Sequence, residues 1–246
     1  MMRCITPEWP APSHVKAFTT TRSGGVSHPP YASLNLATHV GDNLNDVLAN
    51  RKRLIETGVL PHEPFWLNQT HSTNVVEAQQ SAALIIDADA SYTTQTNTVC
   101  AVLTADCLPL LLCNRQGTLV SAIHAGWRGL LNGIIEATLN TLSLPPGDCL
   151  VWLGPAIGPT AFEVGSDVYQ DFMNIDSAHQ PYFLAIRQGF WFADLYALAR
   201  YRLHKQGITH IYGGTYCTYT QDDLFYSFRR DNQTGRMATL IWMETL

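Results

Sequence analysis

Three short apolar runs, 99–103 (VCAVL), 108–113 (LPLLLC) and 119–123 (LVSAI), follow one another with only turn-like residues between them. Runs of this length and composition suit strands covered on both faces rather than strands with one wet face. They read as adjacent buried strands, and buried strands require a large core. The composition supplies one: 46% of the residues are hydrophobic and 14% are charged, a balance that argues against long disorder. With 246 residues, no internal repeat and no low-complexity tract, the expectation is one domain spanning 1–246. The segment LPPGD at 144–148 reads as a turn between a helix and a strand, not as a domain joint.

Other segments fill in the order of elements. The apolar spacing of 45–58 predicts a helix closed by Gly58, and a second helix is expected over about 130–142, after a tight turn allowed by Gly126 and Gly129. Residues 149–153 read as a strand ending in GPAIGP, a loop stiffened by two Gly-Pro pairs. Helices near 166–174 and 193–205 and a strand at 208–212 complete the series. This mixture predicts an α+β, mixed-sheet domain whose loops after strands gather into a site.

Bulk properties exclude several classes of partner. No apolar run approaches the roughly 20 residues that span a bilayer, and the first residues lack the apolar stretch of a signal peptide. A cytoplasmic protein without a membrane partner is expected. The net charge of -5 and pI near 5.9 leave no basic footprint for nucleic acid. The six cysteines form no CxxC pair, so reduced thiols are expected and any metal site must be assembled from distant positions.

His124 ends the third apolar run and is followed by Gly-Trp-Arg-Gly, although any polar residue would stop a strand. Cys107 opens the second run, and the turn NRQG at 114–117 joins the two. If these strands pair antiparallel, the start of one lies beside the end of the other, and sulfur meets imidazole. His71, in LNQTHSTNV, would complete a His2Cys set of the kind that binds zinc while leaving a fourth position open. Water bound there would be acidified toward neutral pH. Taken singly, a buried histidine is more often a hydrogen-bonded core residue, and a buried cysteine an ordinary small apolar one. A cysteine nucleophile activated by His124 uses the same residues.

Twelve of the fifteen basic residues are arginine, and guanidinium forks suit phosphate or carboxylate. Arg22 lies in TTRSGGVS, Arg128 follows Trp127, and Arg229, Arg230 and Arg236 lie in the tail. Asp89 and Asp106 are candidate acid or base groups, with a partner to a ligand histidine or a turn cap as the alternative. Glu163 has the same standing. Gln69 would hold a polar group of a substrate if its loop turns inward, and Trp127 and Phe225 would either stack on a base or fill the core.

Eight segments carry a family resemblance: TTRSGGVS (20–27), SLNLATHVGDN (33–43), LNQTHSTNV (67–75), DADASY (87–92), TADCLPLLL (104–112), AIHAGWRG (122–129), LGPAIGPTAFEVG (153–165) and FYSFRRDNQTGRMA (225–238). In this order the chain resembles the laccase-domain family, whose members are named polyphenol oxidases or purine nucleoside phosphorylases, and it looks closest to the enterobacterial type. The resemblance implies a sandwich-like fold with flanking helices and a site at the strand ends. It implies that His71, Cys107 and His124 are metal ligands, with zinc as the usual metal and copper as the alternative. It further implies phosphorolysis of adenosine, inosine, guanosine and methylthioadenosine, with adenosine deamination as a second activity. PTAF at 159–162 departs from relatives that carry cysteines there, outside the three ligand positions.

Three other functions use the same residues: a hydrolase editing incorrect peptidoglycan precursors, a copper-dependent polyphenol oxidase, and a non-catalytic zinc-stabilised binding protein. A multicopper oxidase needs many histidines, usually in HxH pairs. Nine histidines with no HxH count against that option. The expected partners are a nucleoside and phosphate, and the expected assembly is a monomer or weak homo-oligomer.

Overall fold

The structure is a computed structural model that describes residues 2–80 and 85–245. Its strands begin with β1 (Cys4–Ile5), β2 (Val15–Thr20), β3 (Leu67–Asn68), β4 (Val75–Glu77), β5 (Ile86–Asp87) and β6 (Ala90–Thr93). The centre of the chain supplies β7 (Cys100–Thr104), β8 (Leu108–Asn114), β9 (Val120–Ala125) and β10 (Cys149–Leu153). Then come β11 (Glu163–Gly165), β12 (Phe183–Arg187), β13 (Phe190–Ala193), β14 (Ile211–Gly213) and β15 (Met237–Met243). The α-helices are α1 (Leu44–Gly58), α2 (Trp127–Asn132), α3 (Ile134–Leu142), α4 (Ser166–Ile175), α5 (Leu195–Lys205) and the short α6 (Phe228–Asp231).

Two sheets stack face to face. A four-stranded sheet runs β1-β2-β15-β7, and a six-stranded mixed sheet runs β14-β10-β8-β9-β6-β4. The parity of the strands explains how they become buried on both faces. From β8, Leu111 and Cys113 point into the layer between the sheets with Val120 and Ala122 of β9 and Val102 of β7. Leu108, Leu110 and Leu112 point the other way, on to the layer beneath α2, α3, α4 and α5. On the outer face of the four-stranded sheet, Ala101, Leu103 and Leu240 pack against Leu54 of α1. The result is a helix–sheet–sheet–helix sandwich, as the α+β reading with flanking helices expects.

Several details differ from the sequence reading. Only β8 and β9 are hydrogen-bonded neighbours; β7 belongs to the other sheet and packs across from β9. A run buried on both faces looks the same in sequence whichever sheet it joins. The helix expected over 130–142 begins at Trp127 and is broken at Gly133. Gly133 has φ 95, a left-handed conformation that glycine adopts without steric cost. Gly129 therefore lies inside α2, not in the turn before it. At the end of α1 the left-handed closing residue is Val59, with φ 52, and Gly58 is the last helical residue. A side chain at Gly58 would press on Phe18, its Cβ lying 3.0 Å from the ring. The strand expected at 208–212 is shorter and begins at Ile211, and Ala193 ends β13, leaving Asp194 to cap α5. No helix of the described residues is long and apolar enough to cross a membrane.

Candidate functional site

The register of the β8–β9 ladder sets the site. Leu108 pairs with Ala125 and Pro109 with His124, so Cys107, one residue before β8, lies at the level where β9 ends. The chain reaches Cys107 by crossing from the four-stranded to the six-stranded sheet through Ala105 and Asp106, and Asp106 makes the crossing with φ 91. His71 arrives from the loop between β3 and β4, also in the left-handed region, with φ 59. Left-handed backbone at non-glycine residues costs free energy and persists where surrounding contacts hold it.

The ligand atoms of His71, Cys107 and His124 all lie within 4.8 Å of one another, the one such cluster of three or more His, Cys, Asp or Glu residues among the described residues. Cys107 Sγ is 3.7 Å from His71 Nε2. Tetrahedral zinc bonds of about 2.3 Å to sulfur and about 2.05 Å to nitrogen place two such ligand atoms about 3.6 Å apart. Both the donor set and its spacing therefore fit a metal ion. The imidazole planes of His71 and His124 meet at 73° with centroids 4.8 Å apart. His124 Nδ1 is 2.8 Å from Asp89 Oδ1, which leaves Nε2 to face the cluster.

Gly126, which caps α2, explains the glycine that follows the strand. A Cβ there would lie 2.8 Å from His71 Cδ2 and 3.0 Å from Cys107 Sγ. The position is closed to any side chain because the cluster occupies that space.

Electrostatics at the cluster favour a charged pair. Burial alone would raise the Cys107 thiol, but the facing His124 and then His71 draw it down to about 6. Burial would likewise lower His124, yet the Cys107 sulfur and the Asp89 carboxylate push it up to about 9. Burial opposes the charge on Asp89 too, and hydrogen bonds from His124 and Ser72 outweigh it, taking the carboxyl down to about 2. A thiolate is the form that binds a metal, and His124 must release its proton to do so.

A cavity of about 430 Å³ opens on the cluster. Its wall includes Arg128, Arg229 and Arg236, the rings of Trp127, Phe162 and Phe228, and the apolar side chains of Leu103, Ile157 and Leu195. The Arg128 guanidinium stacks over Trp127 at 4.2 Å and that of Arg229 over Phe162 at 5.1 Å. Arg229 also donates to the Glu163 carbonyl, while Arg236 is braced by the carbonyls of Thr234 and Gly235.

Not every expected residue reaches this cavity. Arg22 lies outside its wall, donating to the carbonyls of Ala32 and Asp222. Arg230 is likewise absent from the wall, its guanidinium held by the carbonyls of Thr218, Tyr219 and Phe225. The Glu163 carboxylate forms a bidentate ion pair with Arg187 away from the cavity. Phe225 is wholly buried against Tyr216 and is a core residue. Gln69 lines the cavity, but its amide is spent on the backbone of Leu103, accepting from N–H and donating to C=O. Asp106 also faces the cavity, with one oxygen accepting from Thr218 Oγ1 and the other from the backbone N–H of Arg229. Asp89 is fully buried behind His124 and does not line the cavity.

His39, Phe162 and Phe228 line the cavity without having stood out in the sequence. Burial, then Arg236 and Arg51, hold the His39 imidazole below the ordinary histidine range. Its signal was a histidine in the segment THVGDN just before the cap of α1, which spacing alone did not connect to the cluster.

Residues 16–244 match the family described as multi-copper polyphenol oxidoreductase laccase. The chain belongs to this laccase-domain family. Among its relatives, a protein of Shigella flexneri named purine nucleoside phosphorylase YfiH is 50% identical over 243 residues, covering 99% of this chain and all of that one. A Haemophilus influenzae protein named purine nucleoside phosphorylase is 49% identical, over 99% of this chain and 100% of its own. Among solved structures, a Neisseria meningitidis protein superposes with a TM-score of 0.95 at 48% identity, covering 98% of this chain and 99% of that one. YlmD of Geobacillus stearothermophilus gives a TM-score of 0.86 at 30% identity, covering 95% and 93%. The family's copper description meets a single three-residue cluster among the described residues, whereas multicopper chemistry needs several metal positions.

Proposed function

We propose that this protein is a zinc-dependent phosphorylase of purine nucleosides. One observation carries the reading: a single cavity brings three arginines and three aromatic rings to the His-Cys-His cluster. Arginines suit phosphate, and a mostly apolar wall with aromatic rings suits a purine and its sugar. The names of relatives at about 50% identity support the same reaction class. The donor set favours zinc, which accepts mixed nitrogen and sulfur ligands and keeps a position open when the protein supplies three.

In phosphorolysis a phosphate oxygen forms a bond to the anomeric carbon of the ribose while the bond from that carbon to the base nitrogen breaks. The base leaves with that electron pair and takes up, in the net reaction, the proton that the phosphate gives up. Arg128, Arg229 and Arg236 bind phosphate and reduce the repulsion that its charges would meet in a buried site. Asp106 fixes the backbone of Arg229, and Trp127 and Phe162 stand beneath the two guanidinium groups and limit where they turn. The rings and apolar side chains also keep water from competing with phosphate. Zinc, when bound, supplies a Lewis acid that stabilises charge on an oxygen it contacts.

The test is incubation of the zinc-loaded protein with adenosine, with and without phosphate, separating adenine, inosine and ribose 1-phosphate. Adenine and ribose 1-phosphate formed only with phosphate, and lost in Cys107→Ser, are the expected products. Inosine formed beside adenine would add deamination as a second activity, inosine with no adenine would assign a deaminase instead, and full phosphorolysis by Cys107→Ser would overturn the metal-centred reading.

A further inference from the structure

Asp89 makes more contacts than a carboxylate needs for its own burial. Its side chain accepts five hydrogen bonds, and they come from two separate parts of the chain. Oδ1 accepts from His124 Nδ1 at 2.8 Å and from the His71 backbone N–H at 3.0 Å. Oδ2 accepts from the N–H groups of Thr70 at 3.2 Å and Ser72 at 2.6 Å, and from Ser72 Oγ at 2.7 Å. Three successive backbone N–H groups, with the left-handed His71 at their centre, thus wrap around one carboxylate, an arrangement that binds anions. The backbone of Asp89 adds to the join: its C=O accepts from His124 N–H at 2.7 Å, and its N–H donates to Asn74 C=O at 3.1 Å.

We propose that Asp89 is the positioning residue that assembles the metal centre, holding two of its three ligands at once, His124 through the imidazole and His71 through the backbone of its loop. The inference rests on the metal-centre reading but not on which substrate the cavity takes. Each half follows from ordinary chemistry. A carboxylate at Nδ1 keeps the proton on that nitrogen and leaves Nε2 free to bind a metal. A loop that carries a ligand in left-handed backbone needs contacts to hold it there, and the N–H groups of 70–72 have this carboxylate as their partner. Ser72 is the secondary support, since its hydroxyl is the one side-chain donor in the loop that reaches Asp89.

The arrangement also distinguishes Asp89 from Asp106. Asp106 faces the cavity and organises Arg229; Asp89 lies behind the ligands and touches neither the cavity nor any arginine.

The test measures zinc affinity by competition with a chromophoric chelator, for the wild type, Asp89→Asn and Ser72→Ala, beside the thermal midpoint of each zinc-free protein. Asp89→Asn keeps the shape but cannot accept at both atoms, and its affinity is expected to fall about 10–100-fold, the range typical for partners of metal ligands. Ser72→Ala leaves the carboxylate and its contact to His124 intact, and a smaller fall of about 3-fold or more is expected, with little change in the zinc-free midpoint. In the zinc-loaded protein, the His124 Nδ1–H resonance should be shifted far downfield in the wild type and in Ser72→Ala, and lost in Asp89→Asn. Wild-type affinity in a folded Asp89→Asn would overturn the proposal while leaving the metal centre in place. If Asp89→Asn does not fold, Ser72→Ala decides, and unchanged affinity there overturns it. A wild type that takes up no zinc would overturn both the metal centre and this role for Asp89.

Discussion

At one end of the β8–β9 ladder Asn114 folds back on its own turn, donating to Thr118 Oγ1 and accepting from the N–H groups of Thr118 and Leu119. At the other end Cys107 and His124 point at a third residue from a distant loop and at a cavity. The same two strands make both ends. The Asn114 side chain finds its partners within five residues of chain, as a turn requires, while Arg115 and Gly117 beside it bond to Asp148, Gly147 and His14. The site end satisfies its groups only by drawing in His71 and Asp89, and it leaves a sulfur and two imidazole nitrogens facing one another. The difference is convergence: at the site end distant residues bring their ligand atoms to one point beside a cavity, which ending a strand does not require.

Removal of a ligand separates the two ends most strongly. His124→Ala is expected to abolish stable zinc binding and to lower phosphorolysis by at least 100-fold, read as metal content and turnover on one sample. No residue of the hairpin end should have that effect, and Asn114→Ala is the matching variant: it should cost about 1 kcal/mol of stability, as loss of a turn's side-chain bonds does, with activity unchanged.

Two glycines also separate the ends. Gly126→Ala places a Cβ against His71 and Cys107 and is expected to weaken zinc by at least 10-fold. Gly147, near the hairpin end, accepts at its carbonyl from Arg115 Nε and has nothing within 4 Å of an added Cβ. Gly147→Ala should leave zinc affinity unchanged and shift stability by no more than about 1 kcal/mol, upward if the backbone accepts alanine. Equal effects of the two substitutions would erase the distinction between the ends.

A substitution in the cavity wall should act on one substrate and not on the metal. Arg128→Ala removes a cation that lies over Trp127 and has no ion-pair partner among the described residues. The expected result is a rise of about tenfold in KM for phosphate, about 1.4 kcal/mol, with zinc affinity and the KM for nucleoside little changed.

The smallest expected effect is in acid. Asp89 has a folded-state pKa near 2, below its ordinary value of 3.8. A lowered carboxylate contributes stability that is present above its unfolded pKa and is lost as pH falls through the folded one. The zinc-free wild type should therefore lose stability between about pH 4 and pH 2, and Asp89→Asn should lose less across that window in a chemical-denaturation series.

Much of the site end was legible before the structure. Cys107 and His124 bracket two apolar runs with a turn between them, and antiparallel pairing then dictates their approach. Asp89 was legible as one of three options, an acid or base group, the partner of a ligand histidine or a turn cap, and it lies buried with its carboxylate 2.8 Å from His124 Nδ1. What was not legible depends on where side chains turn after the backbone is placed. Arg22 and Arg236 look alike in sequence, yet one is tied to carbonyls outside the cavity and the other lines it. Gln69 reaches inward but spends its amide on Leu103. The placement of β7 in the facing sheet was hidden because its residues, buried on both faces, carry no alternation to say which sheet they join. Gly126 was read as a means of turning the chain, while the structure gives it a steric role that depends on His71, more than 50 residues earlier in the sequence.

If one metal at the site end makes the cavity a phosphorylase, titrating the metal out must abolish the activity. Protein of measured zinc content is treated with increasing chelator, and at each step both the bound zinc and the phosphate-dependent release of adenine from adenosine are recorded. One zinc per chain is expected at the start, with activity that falls in proportion to its loss and returns when zinc is restored. Undiminished phosphorolysis by protein stripped of metal would contradict that role for the metal.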